Sequence, residues 1–135
     1  MTFDIDKVGP LCVLIVSWTS DSSTGAVTGT SPKITGTLVK GQTIPSGTAV
    51  PSDNYDINIT DESSIDVLTA CQSNLTNRDT SNHEEAYFLV TNADGTPSAS
   101  SAHPVVCDKL TVAITNAGNA TKGTIRIYYI PGAKS

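Results

Sequence analysis

A chain of 135 residues with a net charge of −5, from 8 Lys+Arg against 13 Asp+Glu, is the size of one domain. Its cations, among them Lys7, Lys33, Lys40, Arg78 and Arg126, are scattered along the sequence. No block of them would track a phosphate backbone, which argues against nucleic acid as a partner. Much of the polarity comes from Ser and Thr, which sit well on strands.

The start of the chain does not read as a secretion signal. Asp4 and Asp6 stand where a signal places positive charge, and the apolar run from Leu11 to Val16 is too short to span a membrane. Residues 1–10 are read as an N-terminal arm, 11–131 as one β-sandwich domain and 132–135 as a tail.

Gly9-Pro10 sets the start of a first strand, Leu11 to Trp18. It is apolar on nearly every position, which places it deep in a sheet or against a partner. A polar, turn-rich link follows from Thr19 to Gly29. A second strand covers Ile34 to Val39 and ends at Lys40-Gly41. In the next stretch, Ile44 to Asp53, Pro45 and Pro51 argue against a central strand because each lacks a ladder donor.

Tyr55 to Thr60 alternates cleanly, with Tyr55, Ile57 and Ile59 on one face, as in a half-buried strand. Asp61 to Ser64 reads as a turn and Ile65 to Leu68 as a short return arm. Ala70 to Asn82 reads either as a helical turn capped by Asn77 or Asp79, or as a long loop. Glu85 to Val90 is a weaker arm, Asn92 to Gly95 a turn, and Thr96 to Ala102 a loop.

Val105 to Cys107 begins another strand, and Leu110 to Thr115 is a strand with Leu110, Val112 and Ile114 on one face. A turn at Asn116 to Ala120 leads into Thr124 to Ile130, where Ile125, Ile127 and Tyr129 face one way and Arg126, Tyr128 and Ile130 the other. Six or seven main strands without a long amphipathic helix predict an all-β fold. The expectation is a two-layer antiparallel sandwich, jelly-roll-like. An immunoglobulin-like arrangement is the rival, although Trp18 lies too close to Cys12 for that fold's usual spacing.

The residue types that carry chemistry are present without the spacing that chemistry needs. Cys12, Cys71, Cys107, His83 and His103 show no zinc-ligand pattern, so no metal is expected. Asp61, Glu62 and Asp66 crowd one turn but lack the order of a calcium loop. No G-x-S-x-G elbow or glycine-rich phosphate loop occurs, and no catalytic residue or cofactor is assigned. An odd number of cysteines leaves at least one thiol unpaired; all three are read as reduced, with a Cys12–Cys107 bridge open if their strands are neighbours. Asn58, Asn74 and Asn119 begin glycosylation-like triplets of the kind chance supplies in a Thr- and Asn-rich chain.

The final strand is apolar or aromatic on both faces. Tyr and Arg are favoured at interfaces, and a strand exposing them makes a poor edge for a lone monomer. Trp18 is either core or an interface anchor. The candidate interface residues are Phe3, Ile5, Trp18, Arg126, Tyr128 and Ile130.

The order of these segments resembles a family of small virion proteins of tailed bacteriophages. The resemblance rests on Val13 to Thr19, on Ile34 to Val39, and on Asp53-Asn54-Tyr55-Asp56 with the downstream Ile65-Asp66-Val67-Leu68. Asn77 to Asp79 and the turn Asn116-Ala117-Gly118-Asn119 complete it. Cys71 departs from the small residues expected after Leu68. The family includes jelly-roll cement, or decoration, proteins. The resemblance therefore implies a non-enzymatic role on the outer surface of a capsid, with the major capsid protein and further copies of the chain, as a homodimer or trimer, as partners. Tail or head–tail accessory parts are the alternative placement, and a carbohydrate-binding or adhesion module is a third. It also implies that the termini carry shell contacts, so that removing Met1 to Asp6 leaves the isolated fold intact.

Overall fold

A computed structural model describes residues 1–67, 78–88 and 103–132. Among them run nine strands: β1 (Thr2–Val8), β2 (Leu11–Thr19), β3 (Val27–Thr30), β4 (Ile34–Pro45), β5 (Asp56–Thr60), β6 (Glu84–Tyr87), β7 (Val105–Asp108), β8 (Thr111–Thr115) and β9 (Lys122–Pro131). All pairings are antiparallel. One sheet has the order β1-β2-β9-β4-β6, with β7 also on β4, and the other is β3-β8-β5. From β2 to β5, and again from β7 to β9, each successive strand lies in the opposite sheet. That alternation is jelly-roll-like, and it differs from the immunoglobulin-like rival, in which several successive strands stay in one sheet.

The core fills the space between the sheets. Leu14, Val16 and Trp18 from β2, Ile125 and Ile127 from β9, and Leu38 from β4 meet Ile57, Ile59, Val112 and Ile114 from the smaller sheet. The period-two pattern of β5, β8 and β9 produces this directly, because alternate side chains of a strand share one face. Buried Ser20 ties the two layers together at one end. Its hydroxyl donates to the Gly118 carbonyl at 2.6 Å and accepts from the Thr121 amide at 2.9 Å. At the other end the Leu110 amide donates to the hydroxyl of Ser31 at 2.9 Å.

Several elements differ from the sequence reading. Residues 1–10, expected as an arm, form β1 and its turn. Val8 and Leu11 are partners across the two-residue loop Gly9-Pro10, and Gly9 takes φ 64°. Proline cannot adopt positive φ, so this is a primed turn with glycine at its first central position. Phe3 packs against the core, and a Cβ on Gly29 would stand 2.8 Å from Met1 Sδ and 3.1 Å from Phe3 Cε2. The first residues thus close one edge of the sandwich. Met1 to Asp6 supply most of β1, and without them the edge of β2 would be bare.

β4 does not stop at Lys40-Gly41. A bulge between Leu38 and Lys40 resets its register, and it runs on to Pro45, whose missing donor falls at the last paired position. The bulge lets Phe88 N donate to Val39 O at 3.0 Å and Leu38 N to Pro104 O at 2.9 Å, which bridges the gap between β6 and β7 along the same side of β4. β3 is a strand the sequence reading placed within a link. The return arm after Asp61 is a single bridge, Thr60 to Asp66, followed by Val67 N donating to Ile59 O at 2.9 Å. Asp79 caps a turn, not a helix, accepting from the amides of Ser81 and Asn82. The expectations for Asn92 to Gly95 and Thr96 to Ala102, and for Cys71, lie outside the described residues.

Candidate interface on the outer face of the larger sheet

The larger sheet presents a second face, away from the core, and register fixes what stands on it. One row across the strands reads Asp6, Val13, Tyr128, Lys40, Tyr87. The next reads Asp4, Ile15, Arg126, Gln42, Glu85. On the opposite side of the first row, Ile130, Thr37 and Val105 are neighbours, with Val8 and Leu11 paired beyond them. The face is thus apolar toward the Gly9-Pro10 turn and charged toward the other end.

Val13 is only 5 % exposed yet belongs to no part of the core cluster. It is covered from the outside, by its neighbours on this face. Val13, Ile15, Val8, Asp6, Arg126 and Tyr128 line a hollow of about 290 Å³. Apolar walls with one carboxylate and one guanidinium at the margins suit an aliphatic or aromatic side chain flanked by polar groups. Further across the same face, Ile130 is 51 % and Val105 76 % exposed. The Lys40 ammonium stands 5.0 Å over the Tyr128 ring and 2.9 Å from Glu85 Oε1. Glu85 holds the Lys40 pKa above its ordinary value. Because the cation covers the tyrosine ring, that aromatic face is not open for a sugar to stack on.

Of the candidate interface residues, Arg126, Tyr128 and Ile130 are brought together here. Ile5 faces the core side of β1 at the sheet edge and remains exposed. Phe3 is half-buried against the core. Trp18, open between core and interface in the sequence and named among the interface candidates, lies in the core: it is 3 % exposed, with its ring 5.7 Å from that of Tyr55. An indole is too large to leave in water when β5 offers an apolar wall opposite. Val8, Val13, Ile15, Tyr87 and Val105 were missed. Their signal was available in part: a strand apolar on both faces, Leu11 to Trp18, must turn one apolar face away from the core.

The chemistry-bearing residues stay apart. Among the described residues no group of three or more His, Cys, Asp and Glu is arranged to hold a metal ion. Asp61 Oδ1 accepts from the amides of Ser63 and Ile65, both at 2.9 Å, so its carboxylate organises its own turn. A hydrogen bond with Asp108 raises the Glu62 pKa. His103 Nδ1 is 2.5 Å from the Phe88 carbonyl. Cys12 and Cys107 are free, and they are not on neighbouring strands: β9 and β4 separate β2 from β7. Among the described residues no helix is long and apolar enough to cross a membrane.

Comparison of the chain with known protein families and with curated proteins finds no match. The all-β sandwich stands on the structure itself, and the outer face must be interpreted by its chemistry.

Proposed function

We propose that this chain is a structural virion protein: a cement, or decoration, protein that binds the outer shell of a bacteriophage capsid across major capsid protein subunits and stabilises it. The observation that carries this reading is the second apolar face of the larger sheet, where Val13 is buried outside the core in a hollow lined by Val8, Ile15, Arg126 and Tyr128, and where Ile130 and Val105 stand exposed further across the same face. A face of this kind resembles the centre of a protein interface, with aromatic and arginine anchors and a polar margin. The exposed hydroxyl-rich remainder suits wet contacts, and repetition of modest contacts by shell symmetry supplies avidity. Self-association, as a dimer or trimer, uses the same face. No catalytic step and no cofactor enters this reading.

The test is binding of purified protein to shells that lack it, read by co-sedimentation. Wild-type protein is expected to saturate the shells, and the Tyr128→Ala/Ile130→Ser variant to leave them largely bare. Binding to tails alone would move the protein to a tail or head–tail accessory role. Binding to neither, with retention on a glycan array, would replace the virion reading by the carbohydrate-binding one.

A further inference from the structure

β1 is the terminal strand of the larger sheet, and six of its seven residues are exposed. In a hairpin with a two-residue loop, the residues flanking the loop exchange both backbone hydrogen bonds, and bonded and non-bonded pairs then alternate along the ladder. Val8 with Leu11, Asp6 with Val13 and Asp4 with Ile15 are therefore the bonded pairs of β1 and β2. The N–H and C=O groups of Phe3, Ile5 and Lys7 consequently point away from the sheet. No strand among the described residues pairs with that edge.

A second copy of β1 is a poor occupant. Two identical antiparallel strands related by a two-fold axis must pair residues whose numbers sum to an even value, since the axis stands perpendicular to the sheet. Centred on Ile5, the pair sets Asp4 against Asp6 twice. Shifting the centre by one residue in either direction sets Asp4 against Asp4 or Asp6 against Asp6. These are the non-bonded positions, where opposed side chains come closest, and like charges directly opposite destabilise a pair. Charge on an edge strand is a recognised guard against self-pairing.

The same two carboxylates define what the edge accepts. Ile15 separates Asp4 from Arg126 in its row, and Val13 follows Asp6. Two strand spacings, about 10 Å, lie between Asp4 and Arg126, while Lys7 projects to the opposite face. Neither salt bridge of the described residues involves Asp4 or Asp6. We propose that the free edge of β1 takes an extended antiparallel segment of a different protein, with Lys or Arg at alternate positions opposite Asp4 and Asp6. This mode of recognition combines main-chain hydrogen bonds with alternate side chains for specificity. It rests on reading the chain as a protein-binding element and supplies the chemistry of one contact.

The test uses the full chain and two end-capped synthetic octapeptides, one alternating Lys and Val, the other Glu and Val. Amide hydrogen exchange is followed over residues 1–8. The Lys/Val peptide is expected to slow exchange at Phe3, Ile5 and Lys7, less so as salt rises, and the Glu/Val peptide to leave it unchanged. Asp4→Asn/Asp6→Asn should weaken the Lys/Val peptide about tenfold. In a second arm, Asp4→Lys sets a cation opposite Asp6 in both halves of the Ile5-centred pair, and should produce concentration-dependent protection of the same amides that wild-type protein lacks. Equal protection by both peptides, none by the Lys/Val peptide at millimolar concentration, or self-protection of the wild-type edge would overturn the proposal. Loss of the cement reading would show instead as absent shell binding, with these exchange results unaffected.

Discussion

Trp18 and Gly123 are partners across β2 and β9, and the indole lies so close to the glycine that an added Cβ would stand 2.6 Å from its Cζ2. The glycine is what lets a residue as large as tryptophan fill the layer between the sheets beside Tyr55. Gly123→Ala should therefore destabilise the fold by about 1–3 kcal/mol, the usual cost of overpacking. The check is urea unfolding: a lower midpoint at an unchanged slope.

The outer face should respond in the opposite way, through binding and not folding. Ile130→Ser and Val105→Ser remove exposed apolar groups, so each should change stability by no more than about 0.5 kcal/mol. On the proposed role, the pair together should weaken shell binding about tenfold or more, because a few large apolar contacts dominate the energy of an interface. Equilibrium unfolding and shell co-sedimentation on the same preparations separate the two effects.

Alkaline pH should unfold the protein through its buried phenols. Burial pushes Tyr55 up to about 12 from the usual 10.0. Burial, with Cys12 beside it, does the same to Tyr129, also to about 12. A folded pKa above the unfolded value means that the folded state holds the proton more tightly. That stability is complete below about pH 10 and is lost as pH rises through 12. The urea midpoint should fall across this window, and Tyr55→Phe should flatten the fall.

Thiol chemistry should distinguish the two sheet faces. Cys12 points into the core and Cys107 to the outer face, beside Thr35. Three strand spacings, about 14 Å, separate them, beyond the reach of a disulfide. A thiol reagent should label Cys107 in the folded protein and Cys12 only after denaturation, with peptide mapping as the readout. A Cys12–Cys107 bridge should not form under mild oxidation.

The strands that were legible in sequence are those whose alternation is local. Tyr55, Ile57 and Ile59, or Ile125, Ile127 and Tyr129, declare a buried face without reference to any partner. The same holds for the opposite face of β9, where Arg126, Tyr128 and Ile130 were placed together. β1 alternates too, through Phe3 and Ile5, but only one of its seven residues is even partly buried, so its pairing with β2 leaves little buried pattern for the sequence to show. β4 crosses Lys40-Gly41 because β9 and β6 flank it on both sides, and nothing in its own residues reports those neighbours. Trp18 was undecided for a related reason: whether an end-of-strand aromatic is buried depends on the opposite sheet. Most of the candidate site was hidden in this way. The row from Asp6 through Val13, Tyr128 and Lys40 to Tyr87 draws on five strands spread along the chain, and only their register brings it together.

The proposed virion role is tested most directly by a cryo-electron microscopy map of phage particles assembled in the presence of this protein. The account predicts density on the outer shell across joints between major capsid subunits, with Tyr128, Arg126 and Ile130 turned toward the joint or toward a second copy. A map with the outer face of the larger sheet open to solvent, or with the chain absent from the shell, would contradict it.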